Sequence, residues 1–76
     1  MRLTYDPKYN VAYIRLHEKT TQVTTIKISD EMSVDTASDG TVYGIELLNA
    51  NQQLAEDQGN LILELAGKRR EIALRA

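Results

Sequence analysis

Apolar and polar residues alternate with a period of two through most of this chain. Ala12, Ile14 and Leu16 alternate with Val11, Tyr13, Arg15 and His17, and Thr24, Ile26 and Ile28 with Val23, Thr25 and Lys27. Met32, Val34 and Thr36 alternate with Ser33 and Asp35, and Tyr43, Ile45 and Leu47 with Val42, Gly44 and Glu46. A period of two puts successive side chains on opposite faces of an extended strand, so each run reads as a strand. Thr, Val, Ile and Tyr dominate the runs, as strands prefer.

Turn chemistry separates them. Asp6-Pro7 with Asn10, the polar stretch from Glu18 to Thr21, and Ser29-Asp30-Glu31 each interrupt the alternation. Asp39-Gly40 is the strongest hairpin signal, because a two-residue type I′ turn needs positive φ at both central residues. Such a turn pairs Val34 with Ile45 and Met32 with Leu47. A three-residue turn at Ser29–Glu31 pairs Ile28 with Met32 and Ile26 with Val34. A turn centred on Thr20 pairs Ile14 with Ile26 and Ala12 with Ile28. A longer loop from Asp6 to Val11 pairs Tyr5 with Ala12 and Leu3 with Ile14.

Directly opposite residues share a face, so these pairs join into rows. One row runs Leu3, Ile14, Ile26, Val34, Ile45, and the next Tyr5, Ala12, Ile28, Met32, Leu47. The opposite face is polar: Arg2, Thr4, Tyr13, Arg15, Thr25, Lys27, Ser33, Asp35 and Glu46, with a less polar corner at His17, Val23, Ala37 and Val42. One face is expected to be buried and the other wet, as antiparallel sheets allow.

After Leu48 the period changes. The stretch 49–58 is rich in Gln, Ala and Glu, with Asn49 or Asn51 as N-cap and Gly59 as stop. It predicts a short helix with Ala50, Leu54 and Ala55 facing the sheet. Leu61, Leu63 and Leu65 then alternate, as do Ile72 and Leu74, which predicts a final hairpin. An amphipathic helix through Leu61, Ile62, Leu65, Ile72 and Ala73 is the rival reading; Gly67 at its middle counts against it. The expected fold class is α+β, mostly β: a five-stranded antiparallel meander (1–48), a short helix (49–58) and a C-terminal β-hairpin (61–75) covering the apolar face. All belong to a single domain, 1–76.

Composition narrows the function. With no cysteine, disulfides, thiolate zinc sites and thiol catalysis are excluded. No run approaches the roughly 20 apolar residues of a membrane span, and the N-terminal run lacks an apolar signal core, so a cytoplasmic location is expected. A net charge of −2 argues against a dedicated nucleic-acid binder, which needs clustered Lys and Arg. There is also no Phe or Trp to fill a core in 76 residues. A homodimer would bury more aliphatic surface than one chain can.

Thr4-Tyr5-Asp6-Pro7, Ala12-Tyr13-Ile14-Arg15-Leu16, Val34-Asp35 and Gly44-Ile45-Glu46-Leu47-Leu48-Asn49-Ala50 follow one another in the order and spacing of a known pattern. Over about residues 3–50 the chain resembles the bacterial domain of unknown function 2283 family. The segment from Leu61 to Leu74 resembles an extension seen in some members. The family has no established activity and no agreed catalytic residues, so the resemblance carries no functional residue over. Some members are encoded beside small toxin-like proteins, which implies an interaction or antitoxin-like role for those.

Several constellations have plainer readings. His17 is the sole histidine, so it cannot build a multi-histidine metal site. A catalytic triad would need Ser29, Ser33 or Ser38 to converge on it. Asp35, Asp39, Gly40, Val42 and Glu46 fall at EF-hand positions one, five, six, eight and twelve, but Ala37 stands at position three and the flanks alternate as strands. Lys68-Arg69-Arg70 is a small basic cluster that suits a solvated hairpin tip. Tyr5, Tyr9 and Tyr13 crowd the first hairpin, where packing is the commoner use of tyrosine.

The sequence therefore points to a small non-enzymatic interaction module that binds a protein partner or itself. No catalytic residue, cofactor or metal ligand is assigned. The candidate interaction surface is Arg2, Tyr13, Arg15, His17, Lys27 and Glu46 on the polar face. The alternative is a nucleic-acid-associated regulator using Arg2, Arg15 and Lys27 with Lys68 to Arg70. A small hydrolase ranks third.

Overall fold

The computed structural model describes residues 1–18 and 21–74. Strands β1 (Arg2–Asp6), β2 (Val11–Arg15), β3 (Thr24–Ser29), β4 (Met32–Thr36) and β5 (Val42–Leu48) come first. Two single-turn segments follow, α1 (Ala50–Gln53) and α2 (Glu56–Gly59), and then β6 (Asn60–Leu65) and β7 (Lys68–Ala73). The fold class expected from the sequence is the one observed, with one five-stranded antiparallel sheet and one two-stranded hairpin.

The strand order corrects the expected meander. It is β1-β2-β5-β4-β3, a Greek-key arrangement of β2 to β5. Ile14 pairs with Ile45 and Ala12 with Leu47, where Ile26 and Ile28 were expected. A central strand has neighbours on both sides, and β5 is the longest, at seven residues, and rich in Val, Ile and Leu. The Thr-rich β3 takes the edge. Alternation sets which face a side chain occupies, and that assignment survives the exchange of neighbours. The first hairpin keeps its expected register, with Leu3 opposite Ile14 and Tyr5 opposite Ala12.

Two turns differ in detail. Around Asp39-Gly40 only Gly40 has positive φ (91°). The turn closes through Gly40 N–H to Ala37 O (3.0 Å) and Ala37 N–H to Thr41 O (2.9 Å). It is thus not the expected type I′ turn. An irregularity between Asp35 and Thr36 sets Val42 opposite Thr36 and then restores Val34 opposite Ile45. At the β3–β4 turn, Ser29 pairs with Met32, and the register shift between Lys27 and Ser29 takes Ile28 out of its expected pairing. The type I′ pattern appears instead at Ala66 (φ 52°) and Gly67 (φ 80°), joining β6 to β7 with Leu65 opposite Lys68.

The expected 49–58 helix is broken. Asp57 and Gln58 are left-handed (φ 55° and 61°), and α1 is one turn long, too short to be cooperative by itself. Its first N–H groups are satisfied from a distance. Asn10, in the β1–β2 turn, accepts from Asn51 N–H at 2.7 Å through its side chain and from Ala50 N–H at 3.0 Å through its carbonyl. Asn49 makes no side-chain cap bond. Gln53 ties the other end down, donating to Glu31 O at 2.8 Å and to Leu48 O. Ala50 is buried as expected and Leu54 is half-buried, but Ala55 is exposed.

Candidate interaction surface

Both faces of the sheet are partly buried, and the polar face is not wholly wet. On the polar face Ser33, Asp35 and Gly44 are buried, and Tyr13, Arg15 and Glu46 are half-buried. Tyr13 projects from β2 across β5, where Gly44 has no side chain, and its ring fills the space a Cβ would take. Its hydroxyl donates to Asp35 Oδ2 on β4 at 2.8 Å. Thr25, on the edge strand β3, donates to Asp35 Oδ1 at 2.7 Å. Both carboxylate oxygens are therefore engaged, as a buried acid requires. One hydrogen-bonded row spans β2, β5, β4 and β3.

The other polar-face candidates are spread around that row. Arg15 pairs with Glu18 at 3.0 Å and Lys27 with Asp30 at 3.1 Å. Arg2 lies opposite Arg15 in the register, and with Thr4, Tyr13 and Glu18 these two line a shallow cleft of about 320 Å³. His17 is exposed and meets the Tyr43 ring edge-on, with centroids 5.8 Å apart. Glu46 lies between Tyr13 and Ser33. Lys68 to Arg70 lie on the second sheet, so the cations of the nucleic-acid reading are divided between two sheets.

The tyrosines do not form a platform. Tyr5 lies on the apolar face opposite Ala12, Tyr13 lies on the polar face, and Tyr9 is exposed with Lys8 Nζ 5.4 Å from its ring centre. Ser29 accepts from Glu31 N–H at 3.1 Å, and Ser33 is buried on β4 away from the strand-end His17. Asp39 Oδ1 accepts from Thr41 N–H at 2.9 Å. That bond holds the Asp39 carboxyl below its ordinary pKa, with the Thr41 side chain adding to the effect.

The apolar face is open. Among the described residues only Ala12 and Ala50 are fully buried apolar residues, and no large side chain is. The short helix α1 packs on β2. Leu3, Ile14, Val34, Ile45, Met32 and Leu47 are half-buried, while Ile26 and Ile28 remain 47% and 60% exposed. The expectation that Ile26 shares a buried layer with Ile14, Val34 and Ile45 is therefore corrected. The C-terminal hairpin does not cover this face as expected; its packing outside its own pair of strands is mainly with α2. Consecutive left-handed residues at Asp57, Gln58 and Gly59 turn the chain into a separate two-stranded sheet.

The family described as "Protein of unknown function (DUF2283)" matches residues 2–51. The chain belongs to this family. The DUF2283 match takes in all five strands of the large sheet and the start of α1, including Tyr13, Asp35 and Gly44, and the hairpin follows it. No curated protein and no solved structure matches the chain. No helix among the described residues is long and apolar enough to cross a membrane.

Proposed function

We propose that this DUF2283 domain is a small cytoplasmic, non-enzymatic interaction module that binds through its apolar face. The observation that carries this reading is the exposure of Ile26 and Ile28 on β3, and the separate hairpin also exposes Leu63, Leu65 and Ile72. Large aliphatic side chains left in water on one strand suit a binding surface. The polar face supports the sheet instead, since Tyr13, Thr25 and Asp35 satisfy one another.

Affinity capture with three chains tests it: wild type, Ile26→Glu/Ile28→Glu, and Arg15→Ala. The associated species, a second copy or another protein, should be lost with the first variant and kept with the second. The reverse pattern would return the surface to the polar face. Recovery of nuclease-sensitive nucleic acid with all three would contradict a protein-binding module.

A further inference from the structure

The chain exposes more surface than the average folded monomer of its size. Its accessible area is 5917 Å², whereas a folded monomer of 8.6 kDa exposes about 4,700 Å². Its radius of gyration is 13.7 Å, against about 11 Å for a compact domain of this length. The excess of about 1,200 Å² per chain is what each subunit of an obligate dimer removes from water, since such interfaces bury upward of about 2,000 Å² in total.

Two separate apolar surfaces are exposed in the single chain, and they match. The hairpin register sets Leu61 opposite Ile72, Leu63 opposite Arg70 and Leu65 opposite Lys68, so one hairpin face carries an aliphatic strip flanked by two cations on β7. The β3 edge carries Ile26 on the apolar face and Ile28 at the bulge, with Glu31 in the adjoining turn, where Asp30 is paired with Lys27. Aliphatic meets aliphatic and cation meets carboxylate when the strip lies along β3. Within one chain the hairpin does not cover β3, because Ile26 and Ile28 stay exposed. Two sheets packed face to face sit about 10 Å apart and interdigitate, which would bury large side chains, none of which is fully buried in one chain among the described residues.

We propose that the chain forms a two-fold homodimer in which the C-terminal hairpin of each copy lies on the β3 side of the other copy's apolar sheet face. The proposal rests on the apolar-face reading above and names its partner. The surface is isologous in the sense that each copy gives one hairpin and receives one.

Sedimentation equilibrium across micromolar concentrations tests this with wild type, the sheet variant Ile26→Glu/Ile28→Glu and the hairpin variant Leu63→Glu/Leu65→Glu. Wild type should have the mass of two chains and each variant the mass of one. An equimolar mixture of the variants should regain a two-chain species containing one of each, because one hairpin-on-sheet contact keeps both native surfaces. The single changes Ile28→Lys and Leu65→Lys, at positions 60% and 72% exposed, give the same reading if a double variant does not fold. A wild-type mass of one chain throughout, or variants that stay dimeric, would overturn the proposal, as would a mixture that forms no mixed species. A one-chain mass with partner capture still abolished by the sheet variant would overturn self-association alone. A one-chain mass with capture unchanged would overturn the apolar-face reading too.

Discussion

The ring of Tyr13 occupies the space that a side chain on Gly44 would need. Gly44 has no positive φ to demand glycine; the requirement is steric and comes from β2. Gly44→Ala should therefore destabilise by about 1–3 kcal/mol through overpacking. In a Tyr13→Ala background the same change should cost less than about 1 kcal/mol, since alanine otherwise suits a strand better than glycine. Chemical denaturation of the four chains measures the coupling. Equal costs in both backgrounds would sink the steric account.

Asp35 is the acceptor that joins β2 to the edge strand β3, through Tyr13 and Thr25. Asp35→Ala should cost about 1–3 kcal/mol, because two hydroxyls lose that acceptor in a site with little water. Asp35→Asn keeps one acceptor oxygen and should fall between wild type and Asp35→Ala. An unfolding midpoint unchanged in Asp35→Ala would show that the row contributes nothing.

At the tip of the C-terminal hairpin Ala66 holds φ 52°, a conformation that costs an L-residue roughly 1–2 kcal/mol. Asn tolerates it and suits a type I′ turn. Ala66→Asn should raise the stability of the hairpin by about 1 kcal/mol, read as slower amide exchange across β6 and β7. Faster exchange would contradict the turn assignment.

Asp39 is fully exposed, and its carboxyl is held below the ordinary value mainly by the Thr41 N–H. A lowered folded pKa means the unfolded chain binds the proton more readily. The stabilisation is thus present above the ordinary carboxylate pKa and fades as pH falls through the folded value. The stability difference between wild type and Asp39→Ala should close over that acidic range. A difference constant from neutral pH down to pH 2 would remove the hydrogen bond from the account.

Much of the fold was legible because alternation assigns faces. Ile14, Ile45, Val34 and Ile26 share a face in the structure as they do in the sequence, although Ile26 exchanged its neighbour. Neighbour choice was not legible: alternation fixes the face of each of the five strands but leaves their order to whichever strand best fills the centre. The turn at Asp39-Gly40 gave the right register by a different route, because Gly40 and a bulge together replace two positive-φ residues. Asn10 as the cap of α1 was hidden by its sequence distance from Asn51. The polar row was half visible, since Tyr13, Thr25 and Asp35 fall on one face in the alternation. What failed was the inference that polar means wet. A tyrosine lying over a glycine can bury a carboxylate that it also satisfies.

The most direct measurement is an isotope-filtered NOE spectrum of a mixture of labelled and unlabelled chains, recorded on the methyl groups. Cross-peaks are expected between Ile26 or Ile28 of one chain and Leu63 or Leu65 of the other. A spectrum in which those methyls show contacts only within their own chain, from a protein with the mass of one chain, would contradict the claim that the apolar face is where this domain meets its partner copy.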